Sequence, residues 1–332
     1  MAVTLKEVAE RAGVSRSAVS RTYTEGASVS AKTRQKVEEA ANDLGYSPNV
    51  LASSLTTGRT KLVGLVSNNF RNPIFLEVFD LCTKALQERG LRPLLVNLSD
   101  ETDPEASVRM LRQYSVDAVI VASSTLPVSF AQGFHDAGVP VVHSFGRHVA
   151  KPRVHVVGID NVAAGRLAAQ TLIDHGYRHI GMMAGPEFAT TTEDRMKGFL
   201  QVMGEHPKIT SSHSFADAYS FDAGRAEMTR LLKGNRAEAY FCGDDVLSIG
   251  ALSAAQSLGL SVPHDLGLIG LNDMDMARWQ NINLTTIRNP LADIVDASVE
   301  LVARMLDTPG IEPEARLFEA HVVERGTLRR NA

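Results

Sequence analysis

Residues 4–24 constrain the fold more than any other stretch, because their polar caps and one glycine predict two short helices joined by a tight turn. Thr4 and Glu7 have the spacing of a capping box, which satisfies free backbone amides at a helix start. Gly13 is predicted to end the first helix, since glycine accepts the left-handed backbone of such a turn. Ser15 then caps a second helix. One interpretation is an ordinary helical hairpin; the other is a helix-turn-helix, whose second helix enters a DNA major groove.

A third helix follows this pair and sharpens the interpretation. Ser30 is predicted to cap it, Gly45 to close it, and its apolar face consists of Val37, Ala40, Ala41 and Leu44. Five motifs surround these helices: T-L-K-E-V-A-E-R-A-G-V-S at 4–15, V-S-R at 19–21, L-G-Y-S-P-N at 44–49, A-S-S-L at 52–55 and T-G-R-T at 57–60. In order and spacing they resemble the LacI/GalR (lactose-repressor/galactose-repressor) family of bacterial transcription regulators.

The resemblance implies which residues of the head contact DNA. The positions that match the family's base-reading residues are Arg16, Ser17 and Arg21. Arginine commonly reads guanine through two hydrogen bonds, each good contact giving roughly 1–3 kcal/mol of discrimination. Contacts to phosphate, which position the protein without specifying sequence, are expected from Ser20, Thr33 and Arg34.

Residues 47–60 are predicted to form a linker with a short helix that begins at Pro48. A helix this short is marginal alone, so we expect it to order only when two copies pack together on DNA. By the resemblance, Leu55 wedges into the minor groove at the operator centre and bends the DNA. A spacer with a buried leucine is the alternative. Ser53 stands where the family usually has arginine.

Length and charge agree with a small head on a larger body. The 332 residues exceed one ordinary domain. Residues 1–60 carry eight basic and six acidic residues, so their net charge is +2, whereas the net charge of -4 for the whole chain leaves -6 for the rest. Two cysteines give no disulfide framework, and no signal core or membrane-length apolar run is present. We therefore expect a cytoplasmic protein with no membrane partner.

From residue 61 onward the pattern alternates between strand and helix, which predicts parallel sheets with helices on both faces. A second such set begins with a strand at 154–158. The predicted fold class is an all-α helix-turn-helix head plus an α/β body of two doubly wound parallel-sheet lobes. The predicted boundaries are 1–46 for the head, 47–60 for the linker and 61–332 for the body, with 61–153 and 288–315 in the first lobe and 154–287 and 316–332 in the second.

Two such lobes leave a cleft at the carboxyl ends of their strands, where open α/β sheets bind ligands. The motifs D-N-V-A-A-G at 160–165, D-R-M-K-G-F at 194–199 and L-T-T-I at 284–287 extend the resemblance over nearly the whole chain. It implies a body similar to a periplasmic sugar-binding protein, with a small-molecule effector in the cleft. The candidate effector-binding residues are Phe75, Asp160, Arg195, Tyr219, Asp244 and Asn272.

Several of these residues have a structural alternative. Asp160 opens a helix, where capping is as good an interpretation as ligand binding. Arg195 could offer a planar donor fork to a ligand oxygen. Phe75 and Tyr219 could stack on a ring, although Phe75 also suits the core. Asp244 and Asn272 stand where the family often has asparagine and aspartate respectively, so an acid and an amide would have traded places with little change in the charge of the site.

Enzyme motifs are absent: no P-loop, no G-x-G-x-x-G after a strand, no G-x-S-x-G and no H-E-x-x-H occur. Asp244-Asp245 and Asp273-Met-Asp275 lack a ligand-rich loop, so capping is favoured over a metal site. We predict a homodimeric, ligand-responsive repressor without cofactor that binds a palindromic operator, its effector a sugar or polyol, or secondarily a sugar acid. Control by a protein partner is the alternative, and a transport-type sugar-binding protein is a rival of another class.

Overall fold

The computed structural model describes residues 3–24, 26–47, 58–98 and 104–330. The chain divides into two compact units, Met1–Thr60 and Lys61–Ala332. The predicted linker helix, with Ser53 and Leu55, lies outside the described residues, so its role in DNA binding stays a prediction.

In its described residues the first unit contains three helices, which form the head: α1 (Leu5–Ala12), α2 (Arg16–Thr22) and α3 (Ala31–Leu44). Both bonds of the predicted capping box form, since the Thr4 side chain accepts from the Glu7 amide and the Glu7 carboxylate accepts from the Thr4 amide. Gly13 has φ 63°, the left-handed conformation that ends α1. The buried residues that pack the three helices together are Val8, Ala9, Val19, Val37, Ala40 and Ala41. The helix-turn-helix prediction is confirmed.

The body contains two six-stranded sheets with helices packed against them, as predicted for the fold class. The first lobe has strand order β11-β5-β4-β3-β1-β2. Its elements are β1 (Leu62–Ser67), α4 (Ile74–Glu88), β2 (Arg92–Asn97), α5 (Pro104–Gln113), β3 (Ala118–Ala122), α6 (Val128–Asp136), β4 (Val141–Ser144), β5 (His155–Ile159), α11 (Leu291–Asp307) and β11 (Ala315–Phe318).

The second lobe has strand order β12-β10-β9-β8-β6-β7, parallel except for the antiparallel edge pair β10–β12. Its elements are α7 (Asn161–Asp174), β6 (His179–Ala184), α8 (Thr190–Glu205), β7 (Thr210–Phe215), α9 (Phe221–Leu232), β8 (Ala239–Cys242), α10 (Asp245–Ser257), β9 (Gly267–Asn272), a 3₁₀ helix (Asp275–Arg278), β10 (Thr286–Arg288) and β12 (His321–Val323). A buried apolar cluster contains residues from both sheets.

Two predicted lobe boundaries are wrong. The sequence pattern places β5 in the second lobe, but this strand pairs in parallel with β4 (Val142 opposite His155), so the chain crosses only after Ile159. The segment 316–332, predicted to lie wholly in the second lobe, begins inside β11, which pairs with β5 in the first lobe, whereas β12 pairs with β10 in the second. In each case the sequence shows a strand, but sheet membership depends on long-range pairing.

No helix within the described ranges is long and apolar enough to cross a bilayer.

Candidate functional site

The outer face of α2 carries side chains predicted to contact DNA, three of them at base edges and Ser20 at phosphate. Arg16, Ser17, Ser20 and Arg21 are all exposed there. Within the part of the chain that the structure describes, neither arginine makes a hydrogen bond or an ion pair. The Ser17 hydroxyl lies 2.9 Å from the hydroxyl of the cap residue Ser15. The helix therefore presents two guanidinium groups whose donors are available to base edges.

The two candidate phosphate contacts on α3 also hold the head together. The Thr33 hydroxyl lies 2.8 Å from that of Ser30, the cap of α3. Arg34 Nη1 donates to the carbonyl oxygen of Thr22 at 2.9 Å, which ties the start of α3 to the last residue of α2. Contact of Thr33 and Arg34 with phosphate stays a prediction.

A cavity lies between the two lobes of the body, where the carboxyl ends of strands from both sheets converge. Its lining residues are Asn72, Ile74, Phe75, Val78, Ser124, Phe145, Ile159, Asn161, Arg195, Asp244, Asn272, Asn289 and Leu291. The cavity has a volume of about 30 Å³, which is room for about two water molecules. Ligand pockets usually measure roughly 300–1,000 Å³, so a sugar-sized molecule enters only when the lobes separate.

Asp244 connects the two lobes inside this cavity. It caps α10 through Oδ1, which accepts from the Val246 amide at 2.8 Å. Its Oδ2 accepts from Asn72 Nδ2 of the first lobe and from Asn272 Nδ2 of the second, both at 2.9 Å. Burial raises the pKa of Asp244 to about 6, against these hydrogen bonds and the charge of Arg195. The predicted capping role and the position in the cleft thus coexist in one side chain.

The amides beside Asp244 leave one acceptor unused. Asn272 has φ 124°, and its Oδ1 accepts from Asn289 Nδ2 at 3.2 Å. Asn289 Oδ1 is buried and has no hydrogen-bond partner among the described residues. A buried polar atom without a partner is costly, so this oxygen is available to a hydroxyl or N–H group of a ligand.

Arg195 is buried, with 5% of its surface exposed, and two hydrogen bonds hold its side chain in place. Nε donates to Asn161 Oδ1 at 2.8 Å, and Nη1 donates to the carbonyl oxygen of Gly243 at 2.6 Å. Because Asp244 lines the same cavity, the arginine charge is balanced when that acid is ionised. The site therefore contains one fixed cation, one fixed acid and several amides. Its net charge is zero when the acid is ionised.

Of the aromatic and acidic residues predicted to bind the effector, some line the cavity and others lie elsewhere. Phe75 lines the cavity and packs edge-on against Phe145, with ring centroids 6.3 Å apart. Tyr219 does not line it: its ring covers Gly185, where a Cβ would lie 2.2 Å from the ring, and its hydroxyl bonds Thr192. Asp160 does not line it either. It is an exposed cap of α7 that accepts from the Ala163 amide at 2.9 Å.

Sequence reasoning missed the remaining polar residues of the cavity, which are Asn72, Ser124, Asn161 and Asn289. Two of them carried a usable signal, because Asn72-Pro73 and Asn289-Pro290 each follow a strand and precede a helix, a pattern typical of a loop. Since these loops lie at the carboxyl ends of β1 and β10, their asparagines point toward the cleft. No group of three or more potential metal ligands occurs in the described ranges.

Comparisons with known proteins identify both parts of the chain. Residues 4–49 match the family model of bacterial regulatory proteins of the lacI family, and residues 169–328 match a periplasmic binding protein-like domain. The HTH-type transcriptional repressor PurR of Proteus mirabilis (strain HI4320) is 33% identical over an alignment of 336 positions that covers 97% of each chain. The repressor of the same name from Klebsiella pneumoniae (strain 342) is 32% identical over an alignment of 334 positions, again covering 97% of each chain.

Two solved structures share the fold over nearly the full length. The lac repressor dimer bound to operator and the anti-inducer ONPF has a TM-score of 0.85 at 24% identity, covering 98% of this chain and 99% of that one. The complex of the transcriptional regulator CelR with cellobiose has a TM-score of 0.72 at 28% identity, with coverage of 98% and 99%. The full-length relatives are repressors and not enzymes. The chain therefore belongs to the LacI family and is a DNA-binding transcriptional repressor.

Proposed function

We propose that this repressor works as a homodimer on a palindromic operator of a carbohydrate-utilisation operon, with a neutral sugar or polyol in the inter-lobe cavity controlling DNA affinity. The unpartnered Oδ1 of Asn289, which lines the same cavity as Asp244 and Arg195, carries the proposal. Carboxylate and amide oxygens accept from ligand hydroxyls, while Phe75 and Phe145 cover an apolar ring face.

The charge of the cavity favours a neutral ligand over a sugar acid. Nε and Nη1 of Arg195 already donate to protein oxygens, and Asp244 provides an acid in the same cavity. A ligand carboxylate would approach this acid, and like charges at close range are costly in a buried site. The related regulator CelR holds cellobiose, a neutral sugar, which supports the same class of effector here.

Thermal unfolding against a ligand panel tests the effector. The purified protein is melted with neutral sugars, polyols, sugar acids and nucleosides, because a ligand that binds only the folded state raises the melting temperature by mass action. We expect a shift with a neutral sugar or polyol and its loss in Arg195→Lys, which cannot keep both bonds of the planar fork. Arg166→Lys, an exposed arginine paired with Glu205 on the surface, is the control. A panel without any shift would favour control by a protein partner.

Selection of DNA from a random duplex library tests the operator. We expect a palindrome, because a two-fold dimer reads two half-sites. Arg16→Ala and Arg21→Ala should each weaken the preference for one base pair per half-site by about 1–3 kcal/mol. Lys6→Ala, which removes an exposed charge from α1, is the control and should leave the preferred sequence unchanged. Selection of an asymmetric single site would count against the dimer.

A further inference from the structure

One arginine bridges the two lobes at the edge of the cavity. Arg147 lies in the first-lobe loop after β4, two residues beyond the cavity-lining Phe145. Its guanidinium reaches the start of α8 in the second lobe and bonds both carboxylate oxygens of Asp194, with Nε–Oδ2 at 2.9 Å and Nη2–Oδ1 at 2.8 Å. Nη2 also lies 2.7 Å from Glu193 Oε2 and 2.8 Å from the carbonyl oxygen of Thr190.

The geometry makes this cluster stronger than an ordinary surface ion pair. The side chains of Arg147 and Asp194 are only 28% and 19% exposed. Partial burial reduces screening by water, and a bidentate arginine–carboxylate pair is both stronger and more directional than a single charged contact. Nearby, the Thr191 hydroxyl of α8 donates to the carbonyl oxygen of Ser124 in the first lobe at 2.9 Å. Several hydrogen bonds thus join the start of α8 to the first lobe.

The same two segments form walls of the cavity. Phe145, in the loop of Arg147, lines it from the first lobe, and Arg195, next to Asp194 on α8, lines it from the second. We infer that Arg147 is a positioning residue that holds the lobes closed and so sets the distance between these walls. Its effect on effector affinity rests on the proposed function, because a sugar-sized ligand that enters only when the lobes separate binds in proportion to the population of the open state.

Distances between the lobes test the inference without effector or DNA. Spin labels are attached to cysteines introduced at Ser129 of α6 and Glu187, exposed positions in the first and second lobes. The native Cys82 and Cys242 are buried, which keeps them from being labelled. Pulsed electron paramagnetic resonance on the full-length protein then gives the distribution of distances between the two labels.

Arg147→Gln should raise the ratio of open to closed conformers about tenfold or more, since charge-assisted bonds contribute at least that factor to an equilibrium. Arg153→Gln is the matched control, because Arg153 pairs with Asp136 inside the first lobe and the pair is exposed. Arg147→Lys, which keeps the charge but not the fork, should give an intermediate ratio. The charge exchange Arg147→Asp with Asp194→Arg should restore part of the closed population.

An unchanged distance distribution in Arg147→Gln, equal to that of Arg153→Gln, would overturn the inference. If Arg147→Gln fails to fold, Asp194→Asn removes the same bidentate contact from the other lobe and is measured instead. Added salt should open the wild-type lobes more than those of Arg147→Gln, a difference that a purely packing role would not produce. The ligand panel is independent of these distances, so a panel without a hit counts against the proposed effector and leaves this result standing.

Discussion

Two adjacent acids at the start of α10 are fully enclosed by protein. Asp244 faces the cavity, and Asp245 points away from it, accepting from the Thr286 hydroxyl and the Met274 amide. Burial, with the charge of Asp244 as a further cause, raises the pKa of Asp245 to about 7. The first acid therefore contacts both lobes, whereas the second holds the loop that follows Asn272 at the end of β9.

The raised pKa values predict a loss of stability as the pH rises. Between about pH 4 and pH 7 the folded chain holds protons on these acids that the unfolded chain has released, so their contribution to the free energy of unfolding falls with rising pH. Asp245→Asn imitates the protonated acid, because Nδ2 can donate to the Thr286 hydroxyl while Oδ1 accepts from the Met274 amide. Chemical denaturation at pH 5 and pH 8 measures the free energy of unfolding of both proteins. Relative to the wild type, the variant should be more stable at pH 8 than at pH 5.

The comparison must be made between variant and wild type, because another buried group acts in the opposite direction. Burial lowers the pKa of His143 to about 4, so that residue favours the folded state as the pH rises toward neutrality. Asp222→Asn, at an exposed position in α9, controls for the loss of one negative charge. A difference between Asp245→Asn and wild type that does not change with pH would show that Asp245 is ionised throughout.

At the scale of elements, two glycines bring α7 and α8 into backbone contact. A Cβ on Gly165 would lie 2.0 Å from the carbonyl oxygen of Arg195, and one on Gly198 would lie 1.9 Å from that of Val162. These distances leave no room for a methyl group. Since Asn161 begins α7 and bonds Arg195 on α8, the close crossing also fixes the relation between these two cavity residues.

Gly198→Ala should therefore force α7 and α8 apart and destabilise the body by about 1–3 kcal/mol, as overpacking does elsewhere. The matched control is Gly204→Ala in the last turn of α8, where a Cβ meets nothing within 4 Å. Removing that glycine should leave stability unchanged or raise it by up to about 1 kcal/mol. Urea denaturation of both variants measures the effect, and equal stability of the two would contradict a close crossing of α7 and α8 at Gly198.

Local sequence signals predicted most elements but not every boundary. The caps and apolar faces of the head gave all three helices. β7 carries no apolar strand signal, because Thr-Ser-Ser-His-Ser-Phe is polar, as suits an edge strand that is partly exposed. The start of α8 at Thr190 is also unmarked in the sequence, because it has no side-chain cap and opens with three threonines, residues of low helix propensity.

The site was predictable where it followed from strand ends and not where it followed from packing. Asp244 lies two residues after β8, and Asn272 is the last residue of β9, so their place in the cleft follows from topology. Whether Tyr219 stacks on a ligand or on Gly185 depends on a contact between distant segments, which no local pattern encodes. The bonds of Arg147 to α8 likewise span more than 40 positions in sequence.

For the whole molecule, an apolar groove crosses from one lobe to the other on the outside of the body. Its apolar residues are Pro73, Ile74, Leu76, Met274, Met276 and Trp279, with Glu77, Asp80 and Asp275 as polar neighbours. Leu76 is 76% exposed and Trp279 is 48% exposed. An apolar centre with a polar rim is the anatomy of a protein interface, and a second copy of this chain is the occupant that the proposed palindromic operator would require.

This groove would connect effector binding with the dimer. Ile74 lines both the cavity and the groove, so a change in lobe closure alters the surface offered to the second copy.

Leu76→Glu should weaken dimerisation by about 2 kcal/mol or more, roughly thirtyfold, because it places a charge in the apolar centre. Sedimentation equilibrium measures the dimer dissociation constant, and fluorescence anisotropy on the selected duplex should show a parallel loss of affinity, since one head contacts only one half-site. Leu200→Glu, at an exposed leucine of α8 outside the groove, is the control and should remain dimeric. A Leu76→Glu protein that sediments as a stable dimer would place the interface on another face and remove the connection through Ile74.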